Sequence, residues 1–294
     1  MRTLRDRLDL YLYGRTGIFI LGCYAYEGFN LKNIIMNKPK VGFYNLSGCS
    51  GCLLTILNCE NQLLDVFNGA EVVSFLMAQS NNVEKELDIA FIDGSVTTDE
   101  QEEFLHELRP RTKKVVCLGS CSCYGGVQAM ENEKGTWLKR FNKVYGKKPF
   151  KVVKPFESKP VDAFIPVDYY LPGCPIDADQ FLYNYARLLR GLPADVPKTP
   201  VCLECKWHEN ECLLLKDKLC LGPVTSAGCK AKCPSHNLPC IGCFGPADES
   251  NLTSEFSLLK EKGYTFPEIE RKLRLFGGVK FIKQFKSLWK KAQK

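Results

Sequence analysis

Eight of the chain's sixteen cysteines fall in one short stretch, spaced Cys202-x2-Cys205-x6-Cys212-x7-Cys220 and then Cys229-x3-Cys233-x6-Cys240-x2-Cys243. Two sets of four soft ligands packed this closely describe a segment built around metal. A C-x2-C pair lets one turn offer two sulfurs to a single centre, and four thiolates suit either a tetrahedral zinc or an iron-sulfur cubane. Spacing alone leaves that choice open.

Disulfides are a weaker reading of the same residues. At 294 residues with 45% apolar content, the chain is long enough to bury a core without staples, and the stretch from 60 to 116 has no cysteine. The N-terminus, MRTLRDRLDLYLYGRTGIFILGCYAY, places basic residues before an apolar patch. Asp6, Asp9 and Arg15 interrupt that patch and no clear cleavage site follows, so it does not read as a signal peptide. No apolar run approaches the roughly eighteen residues that span a bilayer, which gives no transmembrane segment and a cytoplasmic, reducing location as the expectation. The net charge of +7 is concentrated in the tail at Arg271, Lys272, Arg274, Lys280, Lys283, Lys286, Lys290, Lys291 and Lys294. Phe281, Ile282, Phe285, Leu288 and Trp289 recur between them at helical spacing. An amphipathic helix with a solvated basic face, used for packing or subunit docking, accounts for that pattern without nucleic acid.

From residue 40 the chain alternates short apolar runs with helical stretches. KVGFYN precedes a helix over 51–67, and EVVSFL and then LDIAFID precede one over 99–108. VVCLG precedes one near 136–144, and VDYYL one over 176–190. This predicts a doubly wound parallel α/β sheet. The prolines of LPADVPKTPV mark a boundary near 195, and the cysteine-rich segment that follows has too little periodicity for a core of its own, so metal must hold it together. The predicted organisation is an N-terminal extension of unknown role over 1–39, the α/β domain over 40–195, the cysteine-rich domain over 196–250 and a helical tail over 251–294 broken at Gly263 and Gly277-Gly278.

In such a sheet, ligands gather beyond the carboxyl ends of the strands. Three loops there carry cysteine: LSGCSGC with Cys49 and Cys52, SCSCYGG with Cys121, and PGCP with Cys174. These four thiols predict a third site, with glycines 48, 51, 125, 126 and 173 admitting a bulky group. Cys23, Cys59 and Cys117 read as packing residues, and Cys123 as a neighbour of the site.

The ordered motifs LSGCSGC, GSCSCYGG, LPGCP, CLECK, CLGPVTSAGC and CPSHNLPCIGCFGP resemble the small subunit of [NiFe] hydrogenases over roughly residues 40–247. The resemblance implies a flavodoxin-like domain followed by an iron-sulfur domain, three [4Fe-4S] clusters, and electron transfer from the nickel-iron site of a separate large subunit to a flavin- or iron-sulfur-containing acceptor-reducing subunit. It implies a proximal cluster on Cys49, Cys52, Cys121 and Cys174 and a medial one on Cys229, Cys233, Cys240 and Cys243, where Cys233 replaces the proline of many periplasmic relatives. It implies a distal cluster on Cys202, Cys205, Cys212 and Cys220, with Cys202 where those relatives often use histidine. The all-cysteine pattern and the tail LLKEKGYTFPEIERKLRLFGG are similar to the cytosolic branch. Gly51 and Gly126 stand where oxygen-tolerant relatives carry extra cysteines, which implies an ordinary proximal cubane. The chain is then an oxidoreductase subunit with no acid-base residue of its own, and His208 and His236 are surface or supporting groups. Two rivals remain. One is the cluster-carrying subunit of a complex I-like quinone oxidoreductase, whose first motif has adjacent cysteines; the other is a zinc-binding structural module.

Overall fold

The computed structural model describes residues 38–146, 155–248 and 250–292, with only the backbone path at 61, 279, 280 and 283–292. The N-terminal extension with Cys23 therefore lies outside the described residues, as do the side chains of Phe285, Leu288 and Trp289.

The apolar runs form the sheet. Its strands are β1 (Lys40–Asn45), β2 (Glu71–Phe75), β3 (Leu87–Asp93), β5 (Thr112–Leu118) and β7 (Tyr169–Leu171), all parallel, in the order β2-β1-β3-β5-β7. Counting only these five, the order is 2-1-3-4-5, the flavodoxin-like arrangement that reverses direction between β1 and β3. A separate antiparallel pair joins β4 (Val96–Thr98) to β6 (Pro155–Lys159). The strands bury both faces, as parallel strands must. On one face Phe43, Phe75, Phe91, Phe181 and Tyr185 interlock with ring centroids 4.7–6.5 Å apart, each side chain contributing roughly 2 kcal/mol of transfer free energy. On the other, Ile92, Val115 and Cys117 meet Leu105 and Leu108.

The predicted helices form with one break, and a short helix over Gly119–Tyr124 is added where the sequence reads as a loop. The stretch 51–67 is not one helix but α1 (Gly51–Leu57), a 3-10 turn (Glu60–Gln62) and α2 (Leu63–Gly69). Glu60 lies in the left-handed region at φ 46°, and Asn58 closes α1, since asparagine competes with the helical backbone for hydrogen bonds. Cys59 therefore sits in the turn rather than along a helix, its thiol donating to the carbonyl of Thr55 at 3.4 Å. The remaining helices of this part are α3 (Asp99–Leu108), α4 (Gly119–Tyr124), α5 (Trp137–Tyr145) and α6 (Ala178–Leu189), the last capped by Asp177.

Beyond the proline-rich connection come α7 (Val201–Trp207), α8 (Lys232–Ser235), α9 (Leu252–Glu261) and α10 (Phe266–Ala292), which bends at Gly278 (φ 50°, ψ −137°). The cysteine-rich segment does have an apolar core, contrary to its sequence pattern. Val201, Leu213, Leu221 and Val224 pack with Phe256, Leu259, Ile269, Leu273, Phe281 and Ile282, so α9 and α10 complete what the segment lacks. The basic face of α10 also differs from expectation at Arg274. That residue is 2% exposed, with its guanidinium donating to Glu270 at 2.9 Å and to the carbonyl of Asn132 at 3.1 Å. It ties α10 to the α/β part instead of facing solvent.

Candidate metal centres

The segments that carry the first four cysteines start level with one another. Asn45 pairs with Asp93, Asp93 with Leu118, and Leu118 with Leu171, so the last residues of β1, β3, β5 and β7 form one row. Cys52 lies in the first turn of α1 and Cys121 in α4, with Cys49 and Cys174 in the loops between strand and helix. The four thiols act on one another: Cys121 on Cys52, Cys174 and Cys49 on Cys121, and Cys49 on Cys174.

Glycine leaves the sulfurs their space. A Cβ on Gly119, at φ 77°, would stand 2.3 Å from Cys52 Sγ, and one on Gly126, at φ 66°, would stand 2.5 Å from Cys121 Sγ. One on Gly51 would stand 3.2 Å from Cys49 Sγ. A side chain at 51 or 126 would thus reach this set directly.

Cys229, Cys233, Cys240 and Cys243 line one cavity of about 140 Å³, together with Cys174 and Phe244. Zinc draws its four ligands to within about 2.3 Å of one point and leaves no such space. Among the described residues, no three His, Cys, Asp or Glu side chains converge as ligands of a single ion. A cluster, which holds its thiolates apart at separate irons, suits a cavity of that size.

Cys202 and Cys205 are three apart on α7 and share a face. Cys202 interacts with Cys220, Cys205 and Cys212, and a Cβ on Gly222 would stand 3.2 Å from Cys202 Sγ and 3.6 Å from Cys220 Sγ. The three sets are joined in a row. The backbone N–H of Cys174 donates to the Cys243 thiol, and the Ser120 hydroxyl donates to the carbonyl of Cys243. The N–H of Cys240 donates to Cys220 Sγ at 3.3 Å. The set at 229–243 therefore lies between the other two.

Burial pushes the thiols up: Cys121 and Cys229 to about 11, Cys202 and Cys243 to about 12, and Cys52 and Cys240 higher still. Without metal these groups stay protonated at neutral pH, so binding must displace protons. Amide N–H groups already point at the sulfurs, from Ile176 to Cys52, Gly222 to Cys220, Lys232 and Ala231 to Cys229, and Gly242 to Cys240.

The structure adds acids that cysteine spacing does not reveal. Asp93 ends β3 beside the first set, 3% exposed, and its Oδ2 has no partner. Burial raises its pKa against the Cys52 thiol and the N–H groups of Gly94, Leu53 and Cys52, which donate to the carboxyl. Glu204, between the two cysteines of α7, accepts from Gly228 N at 2.9 Å, Ala231 N at 3.2 Å and Cys229 Sγ at 3.8 Å, which clamps the middle set to the outer one. A strand ending in Asp-Gly level with three cysteine loops was the available signal for Asp93. Cys123 is fully buried with its thiol turned to the carbonyl of Cys117 at 3.8 Å, away from the first set. His208 and His236 are exposed.

Comparison with known proteins follows the same lines. Residues 49–188 match the family model described as NADH ubiquinone oxidoreductase, 20 Kd subunit. Sulfhydrogenase 2 subunit delta of Pyrococcus furiosus is 41% identical over 243 residues, covering 81% of this chain and 98% of that protein. A subunit of the F420-non-reducing hydrogenase vhu of Methanocaldococcus jannaschii is 34% identical over 242 residues, covering 72% of this chain and 83% of that protein. In fold, the chain is similar to a chain of the actinobacterial-type NiFe-hydrogenase of Ralstonia eutropha, with TM-score 0.53 at 18% identity over 90% of this chain and 95% of that one.

Proposed function

Since the chain belongs to the small subunits of [NiFe] hydrogenases, we propose that it holds three [4Fe-4S] clusters and relays electrons between the nickel-iron site of a large subunit and an acceptor-reducing subunit. The proximal set is Cys49, Cys52, Cys121 and Cys174, the medial set Cys229, Cys233, Cys240 and Cys243, and the distal set Cys202, Cys205, Cys212 and Cys220. One observation supports this reading: the medial set is bonded to each of the others, the Cys174 N–H donating to the Cys243 thiol and the Cys240 N–H to Cys220 Sγ.

Bound there, each cluster would supply a centre that takes up and releases one electron. The chain's own residues do the rest. They fix the spacing through the strand-end row and the Glu204 clamp, exclude water through the cores on both sides, and direct amide N–H groups at the sulfurs, which sets the potential. Cys49 and Cys174 are exposed at the sheet's carboxyl edge, where the large subunit would dock. Cys212 is exposed at the far end, where the acceptor-reducing subunit, carrying flavin or iron-sulfur, would dock. Among the described residues no helix is long and apolar enough to cross a membrane.

The quinone-oxidoreductase reading accounts for less of the molecule. The family model of that name ends at residue 188, before the eight cysteines of the other two sets, and Cys49 and Cys52 are separated by two residues rather than adjacent. Anaerobic purification of the native complex tests the proposal. Roughly twelve irons on this chain and nickel on its partner are expected, since each cubane holds four. About four irons would remove the medial and distal clusters, and a colourless chain with about three zinc ions would end the proposal.

A further inference from the structure

Glu255 is an acid in the wrong surroundings. It lies in the first turn of α9, 6% exposed, and its Oε1 has no hydrogen-bond partner. Around it is a cavity of about 10 Å³ walled by Leu221, Val224, Phe256, Leu259, Ile269 and Leu273. That space is the size of one water molecule. A buried carboxylate with neither cation nor donor is costly to keep, so a group of this kind persists where its charge has a use.

The neighbourhood indicates the use. Leu221, in the cavity wall, follows Cys220 directly, and Gly222 beyond it lies against the sulfurs of both Cys202 and Cys220. The thiols of Cys202 and Cys220 both respond to a charge on Glu255. Among the described residues nothing else charged faces the carboxyl. Helix α10 presents Ile269 and Leu273 to it, the turn after Cys220 presents Leu221 and Val224, and Arg274 is turned to Glu270 and Asn132. Glu255 is not bonded to a cysteine, so it stands near the distal set without being part of it.

We propose that Glu255 is a proton acceptor coupled to the electron load of the distal site: when that site gains one electron, the Glu255 carboxylate takes one proton from water, and it returns the proton when the electron leaves. Charge then balances at each transfer, one electron against one proton, with the electron supplied by hydrogen oxidation and the proton by solvent. Burial alone lifts the Glu255 pKa to about 7, which places the exchange within the working range of pH. The added negative charge of a reduced site raises that value further, and the direction of the coupling follows. This inference rests on the three-cluster reading above.

The test is a redox titration of the intact hydrogenase complex followed by electron paramagnetic resonance at several pH values, with the distal signal identified by its change in a Cys205→Ser variant. In the wild type the distal potential should fall by up to about 59 mV per pH unit above about pH 7, the one-electron equivalent of a tenfold change in proton activity, and level off below it, where Glu255 is protonated in both redox states. The Glu255→Gln variant, which keeps the shape, should show no slope there while the proximal and medial potentials stay in place. A purely structural role would leave the slope intact. A wild-type distal potential independent of pH overturns the inference, as does an unchanged slope in the Gln variant. If that variant fails to assemble, the redox-difference infrared spectrum of the wild type decides. A protonated-carboxyl band must gain intensity on distal reduction, and its absence refutes the coupling. A complex with no distal signal at all would instead defeat the three-cluster reading.

Discussion

Gly119→Ala tests how closely the fold is fitted around the proximal sulfurs. Gly119 is at φ 77°, and an added methyl would meet Cys52 Sγ at 2.3 Å and the carbonyl of Gly173 at 3.3 Å. The backbone conformation alone costs about 1–2 kcal/mol once a Cβ is present. The clash adds about 1–3 kcal/mol of overpacking, because Cys52 is buried in α1 and its sulfur can move only by rotating away from the site. A sulfur displaced in that way no longer serves as a ligand. Gly135→Ala is the control: at φ 63° with nothing within 4 Å, it carries the backbone cost and no clash.

Iron analysis and thermal unfolding of the two anaerobically purified variants separate these effects. Gly135→Ala should lose roughly 1–2 kcal/mol, about 2–8 °C, with iron unchanged. Gly119→Ala should lose more and should fall from roughly twelve irons per chain toward eight, the loss expected of one cubane. Combined with Cys52→Ser, it should lose little further iron, since both changes remove the same ligand. If Gly119→Ala holds its full iron and loses no more stability than Gly135→Ala, the steric argument is wrong.

Arg274→Met should destabilise the chain by about 3 kcal/mol in a denaturant titration, because Glu270 and the carbonyl of Asn132 lose their buried donor; a loss under about 0.5 kcal/mol would show the contact to be incidental. At Asp177 burial opposes the charge, but Lys232 at 2.8 Å, the Gln180 N–H and Lys230 outweigh it and hold the carboxyl below its ordinary value. The stability it contributes is therefore complete above about pH 4 and lost as pH falls through the lower folded value, so Asp177→Asn should be less stable at pH 7 and should flatten the acid limb. Parallel acid limbs in the two proteins would contradict this. In the iron-free chain, iodoacetamide followed by mass spectrometry should find Cys49, Cys174 and Cys212 modified first and the buried Cys52 and Cys240 last. A uniform rate would mean that the sites do not form before metal binds.

The sheet was readable because parallel strands are buried on both faces and show as unbroken apolar runs, and the cysteines because ligand spacing is a local property. What escaped depended on partners distant in sequence. The helix over 51–67 has an apolar pattern throughout, yet Asn58 and the left-handed Glu60 divide it, and periodicity carries no information on either. Arg274 counts in sequence as one of the nine basic residues clustered over 271–294, but its acceptor on Asn132 lies 142 residues away. The cysteine-rich segment reads as coreless because half of its core is supplied by α9 and α10.

The acids are the instructive case. Asp93, Asp177, Glu204 and Glu255 are indistinguishable by type from the chain's other Asp and Glu residues, and only burial and partners give them roles. Asp177, at the medial cavity, is matched by Lys232 in the same wall and by Lys230, and Glu204 is bound by three donors. Asp93 and Glu255 stand beside the proximal and distal sets, each with a buried oxygen that has no partner. Cations thus accompany the middle of the row and unpartnered acid oxygens its two ends. Negative charge added at the distal end meets an acid whose protonation it favours, whereas at the medial cavity the acid present, Asp177, is held below its ordinary value by Lys232. Proton coupling therefore belongs to the distal end of the row, and the medial site should be less sensitive to pH than the distal one.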